Sequence, residues 1–198
     1  LDDIVISAGS TTGTVSFTPT NDSLYDAASD ETATIAISGV SGGSASESGT
    51  QAVTITITDD DSAPTVTLAA SATSIAENSA STITLTATLS NATYQDVTVS
   101  IGTSGTATEG TDYGNVSDIT ISAGSTTGTA TFDPTDDSDE TDTVTATIAI
   151  SGVSGGGATE SGSQSVTISI LDDESVPRVT LTVSATSIAE NAGSSLTL

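Results

Sequence analysis

The chain has no Lys, no His and no Cys, and Arg178 is its one basic side chain in 198 residues. Without His there is no Ser-His-Asp chemistry. Without Cys there are no disulfides and no thiolate metal sites, so the redox compartment cannot be read from cysteine usage. Trp and Met are also missing and aromatics make up 3% of the residues, too few for the aromatic platforms of a carbohydrate cleft. The paired carboxylates of a glycosidase therefore have no cleft to work in, and an enzyme is not expected. The shortage of basic side chains argues against nucleic acid and anionic membrane surfaces as partners. No window reaches the roughly 18 apolar residues of a membrane helix, so no membrane insertion is expected in this segment.

What is abundant is acid: 26 Asp and Glu give a formal net charge of −25. Solubility or haloadaptation would account for scattered acids, so their positions decide the matter. The chain repeats itself. ISAGSTTGT at 6–14 returns at 121–129, ATIAISGVSGG at 33–43 returns at 146–156, and ATSIAEN at 72–78 returns at 185–191. The offset is 115 residues early and 113 later, which places a two-residue insertion in the acidic loop of the first copy. Residues 64–174 form one complete unit. Residues 1–61 are the second half of a preceding unit and 177–198 open a following one, joined through linkers at 62–64 and 175–177. Ends that fall within a unit suggest a window on a longer array. The two partial ends do not add up to a whole unit, so simple complementation between chains is not expected.

Apolar residues alternate with Thr and Ser at period two in seven segments of the complete unit: 65–70, 82–89, 96–102, 118–122, 128–132, 143–150 and 165–171. Such alternation marks half-buried strands. The expected fold class is all-β, as tandem antiparallel, immunoglobulin-like β-sandwiches of about seven strands per unit. If consecutive strands run up and down, parity sorts the connections into two poles. One pole then collects Glu77, Glu109, Asp112, Asp118, Asp133, Asp136, Asp137, Asp139, Glu140, Asp142, Asp172, Asp173 and Glu174. The other holds only Asp96 and Glu160. Like charges about 4 Å apart repel by roughly 1 kcal/mol in water and several times that near a protein surface. No side chain can neutralise them, which points to a bound cation. Oxygen-only ligands select a hard ion; Ca²⁺, which takes about 6–8 oxygens in flexible geometry, suits carboxylates from separate loops better than Mg²⁺ does.

The unit resembles the Calx-β domain, a calcium-binding β-sandwich. The resemblance rests on SIAEN (74–78), GTATEGTDY (105–113), TFDPTDDSDET (131–141) and SILDDE (169–174), and it covers all of 64–174. It implies Ca²⁺ ligands at Glu77, Asp112, Asp136, Asp137, Asp172, Asp173 and Glu174. In the shortened loop, Asp139, Glu140 and Asp142 compete for the remaining roles. The first copy carries the longer loop NDSLYDAASDET (21–32), which offers Asp22, Asp26, Asp30 and Glu31, and the terminal triplet Asp59, Asp60 and Asp61.

Only Ser-Ala-Pro or Ser-Val-Pro separates a terminal triplet from the next unit, a joint too short for a flexible tether and stiffened by proline. The expectation is an extracellular, cell-surface extender module of an adhesin-type protein, bacterial or archaeal, rigidified by Ca²⁺ at the junctions. The alternative is a subunit of an extracellular filament, sheath or surface layer. Expected partners are neighbouring repeats of the same chain, with lateral or end-to-end self-association under the second reading. Lesser signals have ordinary explanations. SAGSTTGT lacks the Lys of a phosphate loop and reads as a turn. The T-x-T ladders read as solvent-facing strand residues. Sequons at Asn21, Asn91 and Asn115 are expected from chance in a Ser/Thr-rich chain.

Overall fold

The computed structural model describes residues 1–26, 31–191, 193 and 195–198. Among them are eleven strands and no helix, hence none long and apolar enough to cross a membrane. The first copy contributes β1 (Glu31–Ala36) and β2 (Ala52–Ile57), an antiparallel pair. The complete unit contains β3 (Thr65–Ala70), β4 (Ser74–Ala76), β5 (Ile83–Leu89), β6 (Val97–Gly105), β7 (Ile119–Ile121), β8 (Thr127–Phe132), β9 (Val144–Ser154), β10 (Thr159–Glu160) and β11 (Ser165–Leu171).

These strands form two sheets, ordered β10-β3-β5-β8 and β4-β11-β9-β6-β7. The period-two pattern becomes burial directly. In β5, Ile83, Leu85, Ala87 and Leu89 point inward while Thr84 and Thr88 face solvent. Val66, Val97, Val99, Ile119, Ile121, Ile148, Ile168 and Ile170 complete an aliphatic core between the sheets. Burying a side chain of this kind stabilises by about 1.5–3 kcal/mol. The two largest fully buried side chains are aromatic: Tyr113 stacks on Phe132 with ring centroids 4.8 Å apart.

Seven of the nine strands coincide with the alternating segments to within a few residues. The other two, β4 and β10, are short edge strands that pair in parallel, β4 with β11 and β10 with β3. Each crosses from one sheet to the other, and short edges of this kind limit pairing with a foreign strand. One irregularity interrupts β6, where its register against β9 slips between Ser100 and Ile101. Asp118 repairs it: Oδ1 accepts the Ile101 N–H at 2.8 Å and Oδ2 accepts the Ser100 hydroxyl at 3.1 Å. At the end of β6, Gly105 has φ +127°, and a Cβ there would lie 2.1 Å from the Thr145 carbonyl oxygen. Only glycine fits both demands.

The first partial unit reproduces parts of the backbone of the complete one. Ile35 pairs with Val53 and Ala33 with Ile55, as Ile148 pairs with Val166 and Ala146 with Ile168. A Cβ on Gly13 would sit 2.5 Å from the Val5 carbonyl oxygen, and one on Gly128 would sit 2.5 Å from that of Thr120. What the partial units lack is a covering layer. Val179 is 98% exposed, whereas Val66, at the matching position, is 0% exposed.

Candidate metal centre

Antiparallel pairing sends residues 71–82, 106–118, 133–143 and 172–174 to one end of the sandwich, as parity requires. Backbone hydrogen bonds stitch these connections together. Gly114 N–H donates to the Asp133 carbonyl at 2.9 Å and Thr135 N–H to that of Asp112 at 3.0 Å. Tyr113 lies 1% exposed beneath them, so its ring pins the Thr111–Gly114 turn to the core.

Glu77 follows β4, whose parallel pairing with β11 sets Ile75 opposite Ile170 and Ala76 opposite Leu171. The Glu77 N–H donates to the Leu171 carbonyl at 3.0 Å, which fixes its side chain beside the terminal acids. Glu77 is only 8% exposed, and its Oε1 has no hydrogen-bond partner. Glu174 Oε2 is likewise enclosed and unpartnered. Carboxylate oxygens of Glu77, Asp136, Asp173 and Glu174 all lie within 4.8 Å of one another. Burial, then the facing Glu174, then the charges of Asp172 and Asp137 push the Glu77 carboxyl from its ordinary 4.5 up to about 7. Two carboxylates face to face are both acceptors. They bond only if one keeps a proton, or if a cation sits between them.

The other acids of this pole are held differently. Asp172 Oδ1 accepts the Thr141 N–H at 3.1 Å and its hydroxyl at 3.4 Å, tying the acidic loop to the terminal triplet. Asp137 Oδ1 accepts the Asp139 N–H at 2.7 Å. Both lie near enough to Glu77 for their charges to act on it, without joining the tight cluster. Asp112 Oδ2 accepts the Thr108 N–H at 2.6 Å, closing its own turn. Asp139 and Glu140 are exposed and also outside the cluster. Glu109 accepts from the Thr103 hydroxyl and the Asn115 amide, and Asp118 serves the β6 irregularity. At the opposite pole, Asp96 accepts the Ala123 N–H and Glu160 that of Gln164. One contributor was not foreseen from the sequence. Asn78 donates its side-chain amide to Asp173 Oδ2 and orients that carboxylate.

In the first copy, oxygens of Asp59, Asp60 and Asp61 also lie within 4.8 Å of one another. They line a cavity of about 230 Å³ with Asp22, Asp26 and Glu31, walled on one side by Tyr94 of the complete unit. Asp22 Oδ1 caps the turn at the Leu24 N–H (2.9 Å), and Asp59 Oδ2 accepts the Asp26 N–H (3.0 Å). Partial burial and the charges of Asp59, Asp60 and Asp22 raise the Asp61 pKa. Asp30 lies outside the described residues.

Four carboxylates within 4.8 Å repel pairwise by about 1 kcal/mol in water and roughly 3 kcal/mol at an effective dielectric constant of about 20. The Glu77 cluster could hold a metal ion. Its donors are all oxygen, two of its atoms are enclosed and without partners, and a hard divalent cation satisfies both conditions.

No family model matches the chain, and no curated protein matches it. Among solved structures, the apo form of the Calx CBD1 domain is similar at 19% identity and a TM-score of 0.46, covering 55% of this chain and 98% of that one.

Proposed function

We propose that the chain is a calcium-binding spacer segment of a long, repetitive extracellular surface protein. The observation that carries this reading is the orphaned, buried Glu77 Oε1 facing Glu174, with Asp136 and Asp173 beside them. Such a group is costly unless ionic bridging or a proton satisfies it. Glu77, Asp136, Asp173 and Glu174 would hold the ion, with Asp137, Asp172 and Asn78 keeping the loops in place around it. The sequence resemblance to Calx-β domains supports calcium as that ion. Extracellular calcium modules bind at about 10⁻⁴–10⁻³ M, and a site open to solvent through the exposed Asp136 and Asp173 suits that range.

The carboxylate pole lies where one unit hands over to the next. Glu174 is followed at once by Ser175-Val176-Pro177, and Asp61 by Ser62-Ala63-Pro64. An ion that draws together the acidic loop, the Glu77 loop and the terminal triplet would also restrain the strand leaving for the following unit. The role is mechanical: spacing and stiffness, with no catalysis. Calcium titration calorimetry together with small-angle scattering, before and after removal of the ion, tests it. Saturable binding with a gain in rigidity supports the reading; identical melting and scattering with calcium and with excess chelator overturns it.

A filament, sheath or surface-layer subunit is the second reading. Abundant Ser, Thr and Gly with one basic side chain suits a rod that associates with its copies as well as it suits a single string. Electron microscopy of the purified protein separates the two: ordered polymers for the second, single strings for the first.

A further inference from the structure

The acidic loops of the two copies hold their backbones in the same way. In the first copy the Leu24 N–H donates to Asp22 Oδ1 at 2.9 Å and the Asp26 N–H to Asp59 Oδ2 at 3.0 Å. In the complete unit the Asp139 N–H donates to Asp137 Oδ1 at 2.7 Å and the Thr141 N–H to Asp172 Oδ1 at 3.1 Å. These bonds place the two-residue difference between the copies after Asp26, so Leu24, Tyr25 and Asp26 match Asp139, Glu140 and Thr141 one for one. Successive residues of an extended segment turn their N–H and C=O groups to opposite sides. Anchoring the first and third residues to carboxylates of their own unit therefore turns the backbone groups of the middle one outward.

In the first copy the middle residue is Tyr25, and its outward groups meet the complete unit. The Tyr25 N–H donates to the Ala92 carbonyl at 3.0 Å and the Tyr94 N–H donates to the Tyr25 carbonyl at 3.2 Å, a one-residue parallel bridge to Thr93. Asn91 Nδ2 adds a bond to the linker carbonyl of Ser62 at 2.8 Å. The receiving segment is held from behind. Thr93 is 1% exposed, its carbonyl accepts the Gly124 N–H at 2.8 Å, and a Cβ on Gly156 would lie 2.5 Å from Thr93 Oγ1. Glu140 stands in the matching place at the other loop. It is exposed, and among the described residues its N–H and carbonyl have no hydrogen-bond partner. The linker that follows, Ser175-Val176-Pro177, has the length of Ser62-Ala63-Pro64.

We propose that the Glu140 backbone is a docking rung for a following unit and takes the segment of that unit that matches residues 92–94, as Tyr25 takes residues 92–94 themselves. The occupied copy identifies the occupant: the anchors are the same, the linker is as long, and the contact uses backbone groups that any residue except proline supplies. Tyr in one loop and Glu in the other then make the same rung, and consecutive joints share one angle. The rung goes beyond the proposed function, because Asp137 and Asp172 lie outside the Glu77 cluster and the contact involves no cation.

Leu198 matches Leu85, so a copy of residues 86–174 joined after it completes the following unit. The absence of cysteine permits paired spin labels in this extended chain. Thr50→Cys with Thr84→Cys spans the first joint, and Ser163→Cys with Thr197→Cys places labels at the matching exposed positions across the second. Calcium is kept saturating throughout, so the ion contributes equally to every sample and a failure of the cation site is read separately. The two pairs should give the same narrow distance distribution. Glu140→Pro should broaden the second and leave the first narrow, and Glu140→Ala should change neither. Proline at the copy's match of Tyr94 leaves the acidic loop untouched and should also broaden the second. A second distribution that is broad or centred elsewhere in the parent overturns the proposal. So does one that stays narrow in either proline variant, or one that broadens with Glu140→Ala, since a side chain would then make the contact.

Discussion

The buried Glu77 makes the calcium-free protein sensitive to pH in a direction opposite to that of most acidic sites. Its carboxyl is raised from 4.5 to about 7 in the folded protein, so between those values the folded state holds a proton that the unfolded chain has released. The contribution of this group to stability therefore falls as pH rises through the window and is gone above pH 7; below 4.5 both states are protonated and the penalty vanishes. A shift of 2.5 units corresponds to roughly 3 kcal/mol, or a melting-point difference of about 10 °C for a domain of this size. The remaining carboxylates add a background slope of their own, so the measurement is a difference. Calcium-stripped wild type and Glu77→Gln are compared by calorimetry from pH 5 to 8. Wild type should lose stability relative to Glu77→Gln as pH rises and become the less stable of the two at pH 7.5. With saturating calcium the order should invert, because the ion needs the ionised oxygen that glutamine lacks. Protonation then competes with the ion, so apparent calcium affinity should drop up to tenfold per pH unit below 7 if one proton is displaced. Parallel stability curves for the two stripped proteins would refute the argument.

Other consequences can be measured directly. Phe132→Ala removes the ring that Tyr113 stacks on and should cost about 3–5 kcal/mol, with weaker calcium binding because the Thr111–Gly114 turn loses its anchor; denaturant titration and calorimetry check both. Asp118→Ala strands the Ile101 N–H at the β6 irregularity and should cost about 1–3 kcal/mol, with calcium affinity unchanged, which separates it from the cluster acids. Asn78→Ala frees Asp173 from its amide donor and should weaken calcium binding while leaving the melting point of the stripped protein nearly constant. Gly105→Ala meets the Thr145 carbonyl at a φ that alanine resists and should lower the melting point sharply whatever the calcium level.

The strands were legible because each is built largely of Val, Ile, Leu or Ala alternating with Thr or Ser. In a sandwich with one wet face per sheet, that pattern converts to burial without ambiguity. Two things did not show. The edge strands β4 and β10 are two or three residues long, and their parallel pairing depends on where the chain crosses between sheets. The aromatic pair looked incidental when only five aromatics were counted in 198 residues, yet Tyr113 and Phe132 are the largest buried side chains. The signal was available: both lie next to the acidic runs, in the DY pair and in TFDP, where a loop dense in charge needs an apolar root.

Acid positions were legible to the level of the pole and no further, and the reason is chemical. A carboxylate at a loop has two uses that look alike in sequence. It can accept backbone N–H groups that the loop leaves unpaired, as Asp112, Asp118, Asp137 and Asp172 do. Or it can face other carboxylates, as Glu77 and Glu174 do. The first use lowers the energy of the isolated chain, because a buried donor without an acceptor costs about 1–3 kcal/mol. The second raises it until something positive or protic arrives. Spacing marks only part of the difference, since Asp118 and Asp172 accept from 17 and 31 residues away. Asp112 accepts from four residues back and Asp137 from two residues on, the short reach of local side-chain-to-backbone bonds. Glu77 instead reaches its neighbours across about a hundred residues of sequence, through the β4–β11 pairing. What sets Glu77 apart is that its enclosed Oε1 meets other carboxylates and no donor from any strand, and in a chain without lysine or histidine whatever satisfies it comes from solution.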